Sequence, residues 1–285
     1  MELSQEQIEA FRMYLRKKGL SENTAISYVG AVRQFFNRYS EITPENLKSY
    51  QQFLLSLYRP STVNARIYGF SKYIQFLRRQ PGESFLSETS ITKLHVPPIK
   101  RQQSSYLNNV ISNEDYRRLK EGLRKDGNYF WYFVVHFLGS TGARVSELIQ
   151  IKAEYLRLGY MDLYSKGGKM RRIYFPDVLC QEAMDWISSR GISSGFLFLT
   201  RFGKPVTPRG INSQLKVFAR RYHIDPSTMY AHSFRHLYAK NFLLKFNDIS
   251  LLADLLGHES IETTKIYLTR SSEEQKALLD RIVTW

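Results

Sequence analysis

The sequence predicts a mostly helical α+β protein with two domains. Three observations predict it. Four segments with helical apolar spacing fill residues 1–80. A proline-bearing, aperiodic stretch follows over 81–110. Beyond it, two short alternating runs flank a glycine turn and are themselves flanked by helical segments, which implies a small antiparallel sheet.

The first helix is read over "SQEQIEAFRMYLRKKG", with a capping box at Ser4 and Gln7 and a stop at Gly19. The second, "SENTAISYVGAVRQFFNRY", carries Ile26, Val29, Val32 and Phe36 on one face. The third opens on a Thr43 cap with Pro44 at its first helical position. The fourth places Val63, Ile67, Phe70, Ile74 and Leu77 in register. Short loops between four such helices make a bundle. In the 81–110 segment, Pro97 and Pro98 favour extended backbone and predict a linker.

The second domain is read over 111–285. Ser112 caps its first helix, and "YFWYFVVHFLGSTG" is apolar nearly all round, as a buried helix requires. "YLRLGYMDLYS" alternates as a strand, "KGGK" turns, and "RRIYFP" is the return strand. Helices resume from Pro208. The tail "SSEEQKALLDRIVTW" opens with a capping box at Ser272 and Gln275 and carries Ala277, Leu278, Ile282 and Val283 as one stripe.

Lys and Arg number 41 against 26 acidic residues, a net charge of +15, which points to a polyanionic partner. Residues 1–80 alone hold twelve Lys/Arg and six Asp/Glu. Their cluster Arg16, Lys17, Lys18 and the pair Arg78, Arg79 are candidate DNA contacts, and equally read as solvated helix faces. No apolar run is long enough to span a bilayer, and the polar start shows no signal peptide. The lone Cys180 excludes an internal disulfide and a thiolate zinc cluster, so a reduced, cytoplasmic protein without a membrane partner is expected.

The candidate chemistry is phosphoryl transfer, which needs a nucleophile, cationic groups around the transition state and a proton donor for the leaving oxygen. "GHESIE" is not H-E-x-x-H, no carboxylates stand at ligand spacing, and no P-loop is present. The expectation is chemistry with no metal and no cofactor. "TGARVSEL" offers Arg144 as a phosphate grip and Glu147 one turn on, or a plain surface ion pair. "HSFRHLYAKNFL" sets His232 and Arg235 on one helical face. "YSKGGKMRR" puts Lys166 in a turn, either a general acid or an ordinary solvated residue. His258 follows Gly257 at a helix end that favours a protonated or donating imidazole. Tyr267, one short helix on, is a packing residue or a nucleophile.

Taken together and in order, "ARVSEL", "SKGGKMRR", "HSFRH" and "LLGHESIETTKIYL" resemble the boxes of the tyrosine recombinases, site-specific DNA recombinases of the integrase and Xer type. The resemblance implies a SAM-like core-binding domain over 1–80 and a catalytic domain over 111–285, closing on duplex DNA as a clamp. It implies Tyr267 as nucleophile, forming a 3′-phosphotyrosyl bond, and Arg144, Arg235, His232 and His258 as the phosphate's partners. Lys166 would protonate the leaving 5′ oxygen, with Lys169 the alternative, and Glu147 would support the site. Lys169, Arg171 and Arg172 are expected as DNA contacts. The tail helix, 272–285, would dock on a neighbouring protomer in a homotetramer. A chain starting directly at the bundle suggests a compact Xer-like or transposon-resolvase-like member. A topoisomerase-like enzyme of type IB and a non-catalytic DNA-binding protein of the same fold are the competing readings.

Overall fold

The computed structural model describes residues 3–79, 97–99, 109–164, 170–258, 260–268, 276 and 279–283. It divides into two compact units, Met1–Gln103 and Ser104–Trp285.

The first unit is four helices: α1 (Gln5–Lys17), α2 (Glu22–Phe36), α3 (Pro44–Leu57) and α4 (Pro60–Leu77). Each start follows from its sequence. Ser4 and Gln7 form the capping box, Ser21 caps α2, and Thr43 caps α3 ahead of Pro44. Their inward faces meet in one aromatic-rich core, where Phe35 lies 4.4 Å from Phe70 and Phe11 stands edge-on to Tyr73. Residues 97–99 are held on this unit. The Asn64 amide donates to the Ile99 carbonyl and accepts from its N–H, at 3.0 and 2.8 Å.

The second unit runs α5 (Asn113–Lys125), α6 (Tyr129–Thr141), α7 (Val145–Leu148), α8 (Ala153–Leu158), β1 (Tyr160–Tyr164), β2 (Met170–Tyr174), α9 (Asp177–Ser189), α10 (Pro208–Arg221), α11 (Ala231–Phe246), α12 (Ile249–Leu256) and α13 (Ile261–Lys265). The apolar α6 is central, with Phe133, Val134, Val135, Phe137 and Leu138 buried. It packs against α5 and α11. Polar links fasten the start of α11. Ser233 Oγ accepts from the Ile111 N–H at 2.7 Å, and Asn212 of α10 accepts from the Ala231 N–H at 2.9 Å. No helix among the described residues is long and apolar enough to cross a membrane.

Among the described residues the sheet is the antiparallel pair β1–β2, in the register Met161↔Ile173 and Asp162↔Arg172. One expectation fails here. The run "YLRL" at 155–158 alternates like a strand but forms α8, which Gly159 closes in the left-handed region at φ 75. A left-handed glycine lets the chain turn out of a helix directly into a strand, so the alternating run splits at that residue.

Candidate active site

The ends of α6 and α12, the strand β2, the helix α11 and the turn past α13 build the site. Gly142 ends α6 at φ 62, and a Cβ there would stand 2.6 Å from Tyr238. That turn delivers Arg144 to the start of α7. Glu147, one turn along, accepts from the Arg144 N–H at 2.7 Å and from its Nη1 at 2.8 Å. It also accepts from Arg171 Nη1 at 2.5 Å. Burial pushes the Glu147 carboxyl up, yet Arg171 and Arg144 outweigh it and hold the pKa below the usual range. Glu147 is thus an ionised, buried bracket between two arginines. Arg144 keeps 40% of its side chain exposed and faces an open groove of about 1280 Å³.

Arg171, expected as a DNA contact, is turned into the protein. Its side chain is 13% exposed, and Nε and Nη2 both donate to the Leu255 carbonyl, at 3.2 and 2.9 Å. Strand alternation explains why. Arg171 lies on the same face as buried Ile173, whereas Arg172 lies on the other face with Asp162. Arg172 pairs with Asp162 through two bonds of 2.7 and 2.8 Å and covers the Tyr160 ring at 3.8 Å. Both arginines are therefore already engaged within the protein.

Arg235 of α11 is fully buried. Nη1 donates to the Gly142 carbonyl at 2.8 Å, and Nη2 to the Leu256 carbonyl at 2.7 Å. Its Nε–H has no hydrogen-bond partner among the described residues. Burial, with Arg144 and Arg171 nearby, lowers the Arg235 pKa to about 10, which leaves it charged at neutral pH. His258 stands at the end of α12, where left-handed Gly257 closes the helix. Its Nε2 lies 2.9 Å from Arg235 Nη2, and its Nδ1 lies 2.7 Å from the buried Thr264 hydroxyl. Arginine only donates, so Nε2 accepts. Of the protonated or donating imidazole expected there, these contacts fit the neutral, donating form, with Nδ1–H directed at the Thr264 hydroxyl. Burial and then Arg235, Arg144 and Arg171 push its pKa down to about 4, outweighing the pull of a short helix end.

His232 lies exposed in the first turn of α11, and its pKa is lowered by desolvation, Arg235 and Arg144. Tyr267, just past α13, is 7% exposed and packs with Leu243, Leu252 and Leu256. Its ring lies parallel to that of His258, with centroids 6.4 Å apart. Burial raises the Tyr267 pKa, and Arg235 and Arg144 partly offset this. Its hydroxyl meets His236 Nδ1 at 3.1 Å.

Arg144, Glu147, Arg235, His258 and Tyr267 thus converge, with His232 at the rim. Lys166 and Lys169 lie outside the described residues. In the first unit, Lys17, Lys18, Arg78 and Arg79 are exposed at helix ends, while Arg16 is paired with Glu22 at 2.9 Å. Of the tail stripe, Ile282 and Val283 are exposed, and Ser272, Gln275, Ala277 and Leu278 lie outside the described residues. Sequence reasoning passed over Thr264 and His236. The spacing of His236 from His232, one helical turn, was the available signal for the second.

Comparison with known proteins identifies the family of the chain. The phage integrase family profile matches residues 109–274, more than half of the chain. Tyrosine recombinase XerA of Pyrococcus furiosus is 28% identical over 286 residues, covering 98% of this chain and 94% of that protein. Tyrosine recombinase XerD of Staphylococcus haemolyticus is 28% identical, covering 91% and 92%. Among solved structures, XerH site-specific recombinase bound to palindromic difH substrate superposes with a TM-score of 0.70 at 18% identity, covering 92% of this chain and 79% of that one. A lambda integrase dimer bound to a COC′ core site gives 0.66 at 15%, covering 95% and 97%. The fold, the family profile and relatives that run nearly the whole length converge: the chain belongs to the phage integrase family and is a site-specific tyrosine recombinase, an enzyme that cleaves and rejoins DNA.

Proposed function

We propose that Tyr267 is the nucleophile of this recombinase and that Arg144, Arg235, His232 and His258 hold the scissile phosphate. The observation that carries the reading is the convergence of two arginines and His258 on one buried tyrosine. The Tyr267 oxygen attacks phosphorus, the bond to the 5′ oxygen breaks, and a 3′-phosphotyrosyl bond forms. The bond energy stays in the ester, so the reverse step rejoins the strand without an external energy source. Arg144, partly exposed, suits a grip on two non-bridging oxygens. The unpartnered Arg235 Nε–H suits a third contact as charge develops. Lys166 donates the proton that the departing 5′ oxygen takes up, and Glu147 and Arg171 brace Arg144 from behind.

The partner is double-stranded DNA in the cytoplasm, in keeping with the net charge of +15 and with relatives solved on DNA. The first unit serves as the core-binding domain, through Lys17, Lys18, Arg78 and Arg79. Segment 272–285 links protomers into a homotetramer on two synapsed sites. The test uses a duplex that the protein selects from a randomised pool, nicked beside the cleavage point so that religation is blocked. Parent protein accumulates a denaturation-resistant adduct, and Tyr267→Phe binds the duplex with unchanged Kd but forms none. An adduct with Tyr267→Phe removes the assignment.

A further inference from the structure

The buried side of the Tyr267 oxygen poses a question that the phosphate's partners do not answer. A phenol that stays protonated at neutral pH must place its hydrogen on an acceptor, or the buried O–H is left unsatisfied. The groups around it offer few. Arg235 and Arg144 only donate. The acceptor nitrogen of His258 is occupied by Arg235 at 2.9 Å, and its other nitrogen by Thr264 at 2.7 Å. The group able to accept that lies within hydrogen-bond distance of the oxygen among the described residues is His236 Nδ1, 3.1 Å away.

His236 is fixed for this contact. It lies on α11 directly after Arg235 and one turn beyond His232. It is 8% exposed, its ring stands edge-on to that of His232 with centroids 4.6 Å apart, and 5.4 Å separates it from the Tyr267 ring. We infer that His236 is a positioning residue, which accepts the Tyr267 hydroxyl hydrogen at Nδ1 and so turns the oxygen's lone pairs toward the phosphate pocket formed by Arg144, Arg235 and His258. The inference rests on Tyr267 being the nucleophile.

Its role is orientation rather than proton storage. Burial, and then His232, Arg235 and His258, push the His236 pKa down to about 4. So weak a base does not keep the proton of a phenol whose own pKa is raised. As the phosphorus–oxygen bond forms, the phenol proton is released to solvent water past the exposed His232, whose ring stands beside that of His236. What His236 supplies is a hydrogen-bond direction, set before DNA arrives, that a rotating phenol O–H lacks.

The experiment compares single-turnover adduct formation by full-length parent, H236F, H236N and Y267F at saturating concentrations of the selected nicked duplex, with Kd and thermal melting measured for each. Asn offers an acceptor oxygen near the place of Nδ1, and Phe offers none. The expected result is an H236F rate about 100-fold below the parent, the scale of a misaligned reacting atom. H236N recovers to within about tenfold, as expected when one hydrogen bond is kept. Kd stays unchanged throughout. An H236F rate equal to the parent's, or faster as a released restraint would give, overturns the inference. So do equal losses in H236F and H236N. Should H236F fail to melt cooperatively, H236N against H236Q decides, since Gln displaces the acceptor. Adduct persisting in Y267F is a separate failure and strikes the nucleophile assignment itself.

Discussion

At the residue scale, Glu147 decides whether the site holds its shape. It accepts from Arg144 twice and from Arg171 once, inside a cluster of three arginines. Removing it leaves buried guanidinium charge without a counter-ion. Glu147→Ala is expected to cost about 3–5 kcal/mol, read as a shifted urea midpoint, and to lose adduct formation with it. An unchanged midpoint removes the bracket role. Lys166 is tested chemically. Lys166→Ala should slow cleavage, and a duplex with sulfur in place of the bridging 5′ oxygen should restore it, because a thiolate leaves without a proton donor. Failure to restore moves the general acid elsewhere, with Lys169 next. The boxes around Arg144, Arg235, His258 and Tyr267 were legible in the sequence because each keeps its local order. Their contacts were not. Arg171 meets Leu255 and Arg144 meets Gly257 across 84 and 113 residues. Even so, the face that Arg171 shares with Ile173 was readable from alternation alone.

At the element scale, the site depends on where helices stop. Gly142 and Gly257 both end helices in the left-handed region, and each exposes carbonyl groups at a helix end that arginines then satisfy. Arg235 takes the Gly142 and Leu256 carbonyls, and Arg171 takes that of Leu255. The α6 and α12 ends are thus tied to α11 and β2 by cations of the candidate site. A methyl at Gly257 would strike the Arg171 side chain and strain the left-handed turn. Gly257→Ala should therefore destabilise by about 1–2 kcal/mol, and slow adduct formation more than stability alone accounts for. An adduct rate equal to the parent's would show that Arg171 and His258 tolerate the shift. Helix caps at Ser4, Thr43 and Ser112 were readable from single residues, since each acts within its own turn. The helix over 155–158 was misread because its few residues fit either period, and the left-handed turn at Gly159 decided the matter.

At the scale of the whole molecule, three histidines set the acid limit. His136, His236 and His258 are each pushed down to about 4, chiefly by burial and then by neighbouring cations. Unfolded histidine titrates near 6.5. Between those values the unfolded chain binds protons that the folded one refuses, so stability rises with pH. It is fully present above about 6.5 and is lost as pH falls toward about 4. Melting temperature should drop through that window, and a flat profile would contradict the burial of these rings. Binding to DNA should weaken linearly in the logarithm of salt concentration, since phosphate contacts by Lys and Arg release counter-ions. Deleting 272–285 should leave binding to one duplex intact and abolish the tetramer on two. A truncated protein that still forms it would assign assembly to another surface.

The central claim, that Tyr267 stores the cleaved phosphodiester, is tested most directly by mapping the covalent adduct. The full-length protein is trapped on the selected nicked duplex and digested with nuclease and trypsin. The mass of the nucleotide-bearing peptide is then read. The predicted carrier is the segment Ile266–Arg270, with the nucleotide remnant on Tyr267. A remnant on any other residue, or a duplex cut with no peptide attached, would contradict the account.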